Sequence, residues 1–224
     1  MTEDNAPLTV PQAIHARRAV RHYLPDRIPA AQLTELLELT LEAPSSFNIQ
    51  ARSVVVVSDQ RGRSGLTWAT GGQPHPEEAP VTLVFVGSSR AWSEDLSDIH
   101  GQAGRNGAWN DQYIAGFPQA TLDFYEDQEK RGLLRECAIK DAMIAATHAM
   151  IVAASMGLAT SPMNGWDEAK VKQVIGIEDR DDLHIALLLP VGKPAENRRH
   201  PGRRPLGRNA FDGTYGHGYT PERA

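Results

Sequence analysis

A single cysteine, Cys137, stands among 224 residues. It has no intramolecular partner, so a disulfide framework is excluded, nothing asks for an oxidising compartment, and the expected location is cytoplasmic. Surplus positive charge is also missing, because 23 Lys and Arg stand against 28 Asp and Glu and the formal net charge is -5. Affinity for nucleic acid comes mainly from neutralising phosphates, so a nucleic-acid partner is not expected. Long apolar runs are scarce. The first ten residues carry Glu3 and Asp4 where a secretory signal needs apolar side chains. The most apolar helix-like stretch, Ala142 to Ala154, is interrupted by Thr147 and His148 and is short for a bilayer. It reads as a buried core helix, with His148 a hydrogen-bonded core residue, and no membrane association is expected. The eight histidines form no His-Glu-x-x-His pattern, which leaves no case for a metal, and no local signature marks Cys137 as a nucleophile. Gly101, Gly104 and Gly107 have the wrong spacing for a dinucleotide fingerprint and follow no convincing strand, so they read as flexible loop. No internal repeat is present.

What is present is an ordinary globular composition, 41% apolar, and several periodic segments. One domain over residues 1–224 is expected. Pro11 opens a short helix that carries Ile14 and ends near Arg18. Pro29 opens a second, in which Leu33, Leu36, Leu37 and Leu41 form one apolar stripe that stops before Pro44. Ser53–Ser58 and Val81–Val86 are β-branched runs that read as buried strands, with turn material and no regular structure over Gly71–Pro76. From Ser88 to about Gly116 the chain is polar, contains glycine and carries Trp92, Trp109 and Tyr113. It reads as a loop or lid, within a variable region over 88–132. Leu134–Gly157 is the longest helix pattern. A short extended piece at Leu158–Met163, a helix near Asp167–Val174, a strand at Ile185–Val191 and an Arg-, Gly- and Pro-rich extension over 193–224 complete the reading. Strands separated by helices predict an α+β (mixed α/β) domain around one small sheet.

Three segments carry candidate chemistry. If the first helix ends near Arg18, Arg17 and Arg21 share a face at i, i+4 and present two planar guanidinium forks suited to phosphate. Arginines at a helix end also simply complement the helix dipole. The loop from Ala43 to Gln50, with Pro44, Ser45, Ser46 and Asn48, offers hydroxyls, an amide and free N–H groups that can read the polar rim of a heterocycle. The same residue types make ordinary turns. In the segment from Gly157 to Asp167, Pro162, Met163, Asn164 and Gly165 can hold backbone N–H groups toward a ligand, while Asp167 caps the next helix. A second basic cluster, Arg198, Arg199, Arg203, Arg204 and Arg208, lies near the end. Trp92, Trp109, Tyr113, Phe117, Phe124 and Tyr125 can stack on an aromatic substrate or serve as packing.

In this order and spacing, the segments resemble the nitroreductase family of flavoproteins, from roughly Pro11 to Leu206. The likeness rests on Arg17, Arg18 and Arg21, the Pro44–Gln50 loop, the Ala-rich helix ending in Met156, Gly157 and Leu158, the Pro162, Gly165 and Asp167 segment, and the tail with Gly192, Pro194 and Arg203–Leu206. The resemblance implies a small mixed, mainly antiparallel sheet flanked by helices in an intertwined homodimer, with non-covalent FMN in two sites that both subunits build. It implies that Arg17 holds the FMN phosphate, helped by Arg203 or Arg204, with Arg18 and Ala19 beside it and Arg21 at the pyrimidine edge of the ring. Pro44, Ser45, Ser46 and Asn48 would reach the ring or ribityl chain from the second subunit. Pro162, Met163, Asn164 and Gly165 would line the ring, with an N–H near Asn164 directed at flavin N5.

Departures from the family pattern are also visible. Ala19 stands where a phosphate-contacting Ser is usual, and Ala51 and Arg52 follow Gln50 where Pro-Trp is common. No Asn occurs between Asn48 and Asn106, so Gln73 substitutes for the Asn that many relatives place against the ring. The implied activity is hydride transfer from NAD(P)H through FMN to a nitroaromatic, quinone or similar small electrophile in a ping-pong cycle, with no side chain identified as the proton donor. Alternatives are a flavin-binding or flavin-delivering protein without turnover, and a specialised dehalogenase, enone reductase or ring dehydrogenase.

Overall fold

The computed structural model describes residues 7–220, so Glu3 and Asp4 lie outside the described residues. In chain order the elements are α1 (Val10–Ala16), α2 (Ala30–Leu41), β1 (Arg52–Val57), α3 (Gln60–Ala69), α4 (His75–Glu78), β2 (Val81–Ser88), α5 (Ser97–Arg105), α6 (Asp111–Lys130), α7 (Leu134–Ser155), β3 (Ala159–Thr160), α8 (Glu168–Ile175) and β4 (Leu183–Gly192). The strands form one sheet in the order β1-β2-β4-β3, and every strand pair is antiparallel. A parallel bridge between Ala19 and Thr160 adds a single mixed contact at one edge.

β2 and β4 lie at the centre of the sheet, and their apolar runs are buried almost throughout, which requires cover on both faces. Alternation along β2 divides that cover. Leu83 and Phe85 face α2 and the alanine surface of α7, while Val84 and Val86 face Leu66 and Ala69 of α3 and Val171 of α8. A bulge between Phe85 and Val86 shifts the register so that Ile185 joins the α3–α8 side and both Ala186 and Leu187 the α7 side. Ala142, Ala145, Ala146, Ala149 and Ala153 have no exposed surface, so α7 lies close against the sheet. The approach is tightest at Gly87, where an added Cβ would stand 2.6 Å from the Ala138 carbonyl carbon.

α7 is 22 residues long and, by length and hydropathy alone, could cross a membrane. This differs from the reading of its apolar centre as too short to span. Its buried alanine face is what marks it as a core helix. His148 is only half-buried and makes no side-chain hydrogen bond among the described residues, so it is not the bonded core residue expected.

Two further expectations are corrected, and one helix was not foreseen. The polar stretch after Ser88 is not a loop but carries α5 and the start of α6. Its Gly101, Gly104, Gly116 and Pro118 depress helix propensity, and an Asn110 cap on Tyr113 N–H (2.8 Å) with ring packing offsets them. Gln60–Ala69, to which the sequence reading assigned no element, is a helix started by the Asp59 carboxylate on Gly62 N–H (2.9 Å) and held by buried Leu66 and Ala69. Finally, His75 and Pro76, expected as turn, open the one-turn α4.

Candidate functional site

α1 ends at Ala16, so Arg17–Arg21 is extended rather than helical, and Val20 N–H bonds the Thr160 carbonyl at 3.1 Å. Residues 17, 19 and 21 therefore share a side by strand alternation, not by the helical i, i+4 spacing expected. Arg18 is differently employed: its Nη1 donates to the carbonyls of His15 (2.6 Å), Ala16 (3.1 Å) and Arg17 (2.9 Å), closing the end of α1. The Arg17 guanidinium makes no hydrogen bond or ion pair among the described residues. Burial lowers its pKa, and Arg203 and Arg18 lower it further. His200 is pulled down by desolvation and by Arg18, Arg203, His15 and Arg17. Cations from both ends of the chain thus converge, and Glu196, which lines the same cavity as Arg17 and Arg18, is already engaged by Arg198 at 2.7 Å, an arrangement that suits an anion. Arg203 Nη1 bonds its neighbouring Gly202 carbonyl at 2.7 Å, and Arg204 is exposed.

The third segment lies on β4, where Met163 N–H bonds the Leu188 carbonyl at 2.9 Å. That pairing turns the Met163 side chain into the core, so only its backbone is available to a ligand, while Pro162, Asn164 and Gly165 are exposed. Gln73 Nε2 reaches the Gly165 carbonyl at 3.3 Å, so the residue expected to substitute for the missing Asn does sit against this segment. Asp167 caps α8, accepting from Lys170 N–H at 3.1 Å, as expected. Two neighbours carried no signal in the sequence. Glu196 accepts from Arg21 N–H at 2.8 Å across 175 residues, and with Arg198 this holds its carboxyl down to about 2. His75 is lowered by burial and by the Arg21 charge while facing the Arg21 carbonyl.

The Pro44–Asn48 loop is elsewhere. Asp141 of α7 receives Ser46 N–H and Ser46 Oγ–H, both at 3.2 Å, whereas the Arg17 region lies by the other end of α7, where Leu8 N–H bonds the Ser155 carbonyl. At 1.5 Å per residue those ends are roughly 20 Å apart. One chain does not bring its first and second segments together. Within the loop Phe47, Asn48 and Gln50 have φ of 51°, 52° and 52°. Each costs on the order of 1 kcal/mol in the left-handed region, so the surroundings must impose the shape. Arg52, at the family's Trp position, does part of this by donating to the Leu41 and Ala43 carbonyls at the end of α2.

The loop meets the lid. Phe47 lies 5.0–6.0 Å from Phe117, Phe124 and Tyr125 of α6, Trp109 is 4.5 Å from Phe117, and Trp92 stacks on Tyr125 at 5.8 Å. A cavity of about 540 Å³ opens beside Phe47, Tyr113 and Phe117, and another of about 510 Å³ beside Pro44, Asn48, Gln50 and Trp109. The chain therefore presents two separate candidate half-sites: the Arg17 region with the Pro162–Gly165 edge, and a polar loop under an aromatic lid. Cys137 lies apart from the anion pocket, and burial raises its thiol, which does not favour a nucleophile.

A sequence profile described as the Nitroreductase family matches residues 14–193. The chain belongs to the nitroreductase family. Over 189 residues it is 30% identical to MhqN of Bacillus subtilis, named as an NAD(P)H nitroreductase, covering 84% of this chain and 90% of that one. It is also 30% identical to the NADH dehydrogenase of Thermus thermophilus over 192 residues, with 86% and 90% covered. Among solved structures, ydfN of Bacillus subtilis superposes with a TM-score of 0.81 at 28% identity, over 90% of this chain and 97% of that one. The nitroreductase fold of this chain is the architecture that separates its two half-sites along α7.

Proposed function

We propose that the protein is an FMN-dependent oxidoreductase that carries electrons from NADH or NADPH to small planar electrophiles such as nitroaromatics and quinones. The observation that carries this reading is the half-buried Arg17 guanidinium, unpaired and facing Arg203, in a chain of the nitroreductase family. Two neighbouring cations with no ion-pair partner among the described residues are relieved by a phosphate dianion. When bound, FMN would accept hydride from the nicotinamide and return the electrons to the acceptor in a ping-pong cycle.

The residues present fit that group. Arg17 and Arg203 would take the phosphate, assisted by Arg204, with Arg18 holding the end of α1 in place and Ala19 leaving one hydroxyl contact unmade. Arg21 would face the pyrimidine edge, its backbone fixed by Glu196. Gln73, Pro162, Asn164, Gly165 and the Met163 backbone would line the ring. Pro44, Ser45, Ser46 and Asn48 would come from a second subunit, because their own chain holds them away from its anion pocket. A homodimer then completes two equivalent sites. The aromatic lid would exclude water above the ring and offer a stacking surface to the acceptor.

The test is an absorbance spectrum of the purified protein followed by anaerobic addition of NADH or NADPH. We expect a bound-flavin spectrum that bleaches with at least one nicotinamide and recovers on adding a quinone. Bleaching without recovery would favour a flavin-carrying role, and a preparation that stays colourless with added FMN would refute the assignment.

A further inference from the structure

We propose that Asp141 is a positioning residue for the flavin: through Ser46 it holds the Ser45–Gln50 loop in the shape that receives the cofactor, and it joins that loop to the lid helix beside Tyr125. The proposal rests on the flavin reading above. Asp141 is 2% exposed and sits on the α7 face that carries Ala138, Ala142 and Ala145, all of them apolar. One carboxylate oxygen takes both Ser46 donors. The other, Oδ2, is buried and has no hydrogen-bond partner. Arg52 of β1 lies near enough for its charge to favour the carboxylate but spends Nη2 on the end of α2, and its Nε and Nη1 are buried without partners. The remaining titratable neighbours are Tyr125 of α6 and Cys137 of α7.

A half-satisfied buried acid is a poor way to stabilise a fold. Burial raises the Asp141 carboxyl, against the Ser46 hydrogen bonds and Arg52, which hold it down. A group whose folded pKa lies above its unfolded value adds stability at acid pH that disappears as pH rises through the folded value. At neutral pH its ionisation therefore opposes folding. What the carboxylate does secure is the loop: Ser46 immediately precedes the left-handed Phe47 and Asn48, and Ser45 Oγ accepts from Gln50 N–H at 2.9 Å across the turn. Tyr125 is 3% exposed, lies close to both Ser46 and Asp141, and its ring is 6.0 Å from that of Phe47. The lid and the loop thus share one buried acid.

This predicts opposite signs for stability and cofactor affinity. The measurement compares full-length wild type, Asp141→Asn, Ser46→Ala and the double variant, reading FMN dissociation from recovered flavin fluorescence and the Tm of each apo-protein. We expect Asp141→Asn to melt at or above the wild-type temperature while binding FMN about tenfold more weakly, the loss of roughly one charge-assisted hydrogen bond. The double variant should lose less affinity than the product of the two single losses, since the Ser46 hydroxyl bond is part of the link that Asp141→Asn weakens. Wild-type affinity in Asp141→Asn would overturn the proposal. So would a lowered Tm that accompanies the loss, which is the mark of a merely structural residue, or singles whose effects multiply in the double variant. A wild type that takes up no FMN would overturn the flavin reading itself, and the wild-type titration alone identifies that case.

Discussion

At the scale of single residues, position decides which of several arginines is free to bind. Arg17 and Arg18 are adjacent and chemically identical, yet Arg18 closes the end of α1 with three carbonyl contacts while Arg17 turns toward Arg203. Extended backbone sends neighbouring side chains to opposite sides, and that alone separates the cation that closes α1 from the one left without a partner among the described residues. Replacing Arg17 with Ala should remove charged hydrogen bonds of roughly 1.5–3 kcal/mol and weaken FMN binding by one to two orders of magnitude, with little change in apo-protein Tm. Fluorescence titration of FMN checks this. Arg18→Ala should instead lower the Tm, because the carbonyls at the end of α1 lose their donor.

At the scale of elements, α7 organises the molecule. Its alanine face lets the helix lie against β2 and β4, and its length keeps the two half-sites roughly 20 Å apart. Gly87 marks the closest approach, where any side chain meets the Ala138 backbone. Gly87→Ala should cost about 1–3 kcal/mol by forcing α7 off the sheet, a shift in the urea midpoint with little change in slope. The aromatic cluster around α6 was legible as a set of residues, but the helices α5 and α6 were not. Gly101, Gly104, Gly116 and Pro118 argue against helix locally, and ring packing at 4.5–6.0 Å with the Asn110 cap outweighs them.

At the scale of the whole molecule, one chain holds the Arg17 region and the Pro44–Asn48 loop at opposite ends of α7, whereas the proposed flavin site needs both. We therefore expect elution as a dimer, and FMN release on dilution with the same concentration dependence as dissociation. Ile144, a large apolar residue 39% exposed on the outer face of α7, gives a way to test the link. Ile144→Glu should shift both transitions to higher protein concentration together, as sedimentation and flavin fluorescence would report. Flavin held equally well by a monomer would contradict a shared site.

Much of this was readable in one dimension. Apolar periodicity sufficed for α2, α7 and the central strands, since burial in a sheet or helix leaves a local pattern. The order of short motifs sufficed for the family, and turn chemistry sufficed for the Asp167 cap. Only the folded chain decided that residues 17–21 run extended, that Met163 points into the core, and that Glu196 and Asp141 serve segments 175 and 95 residues away. Those outcomes depend on contacts between distant parts of the chain, and neither charge pairing nor burial at such separations writes any period into the sequence.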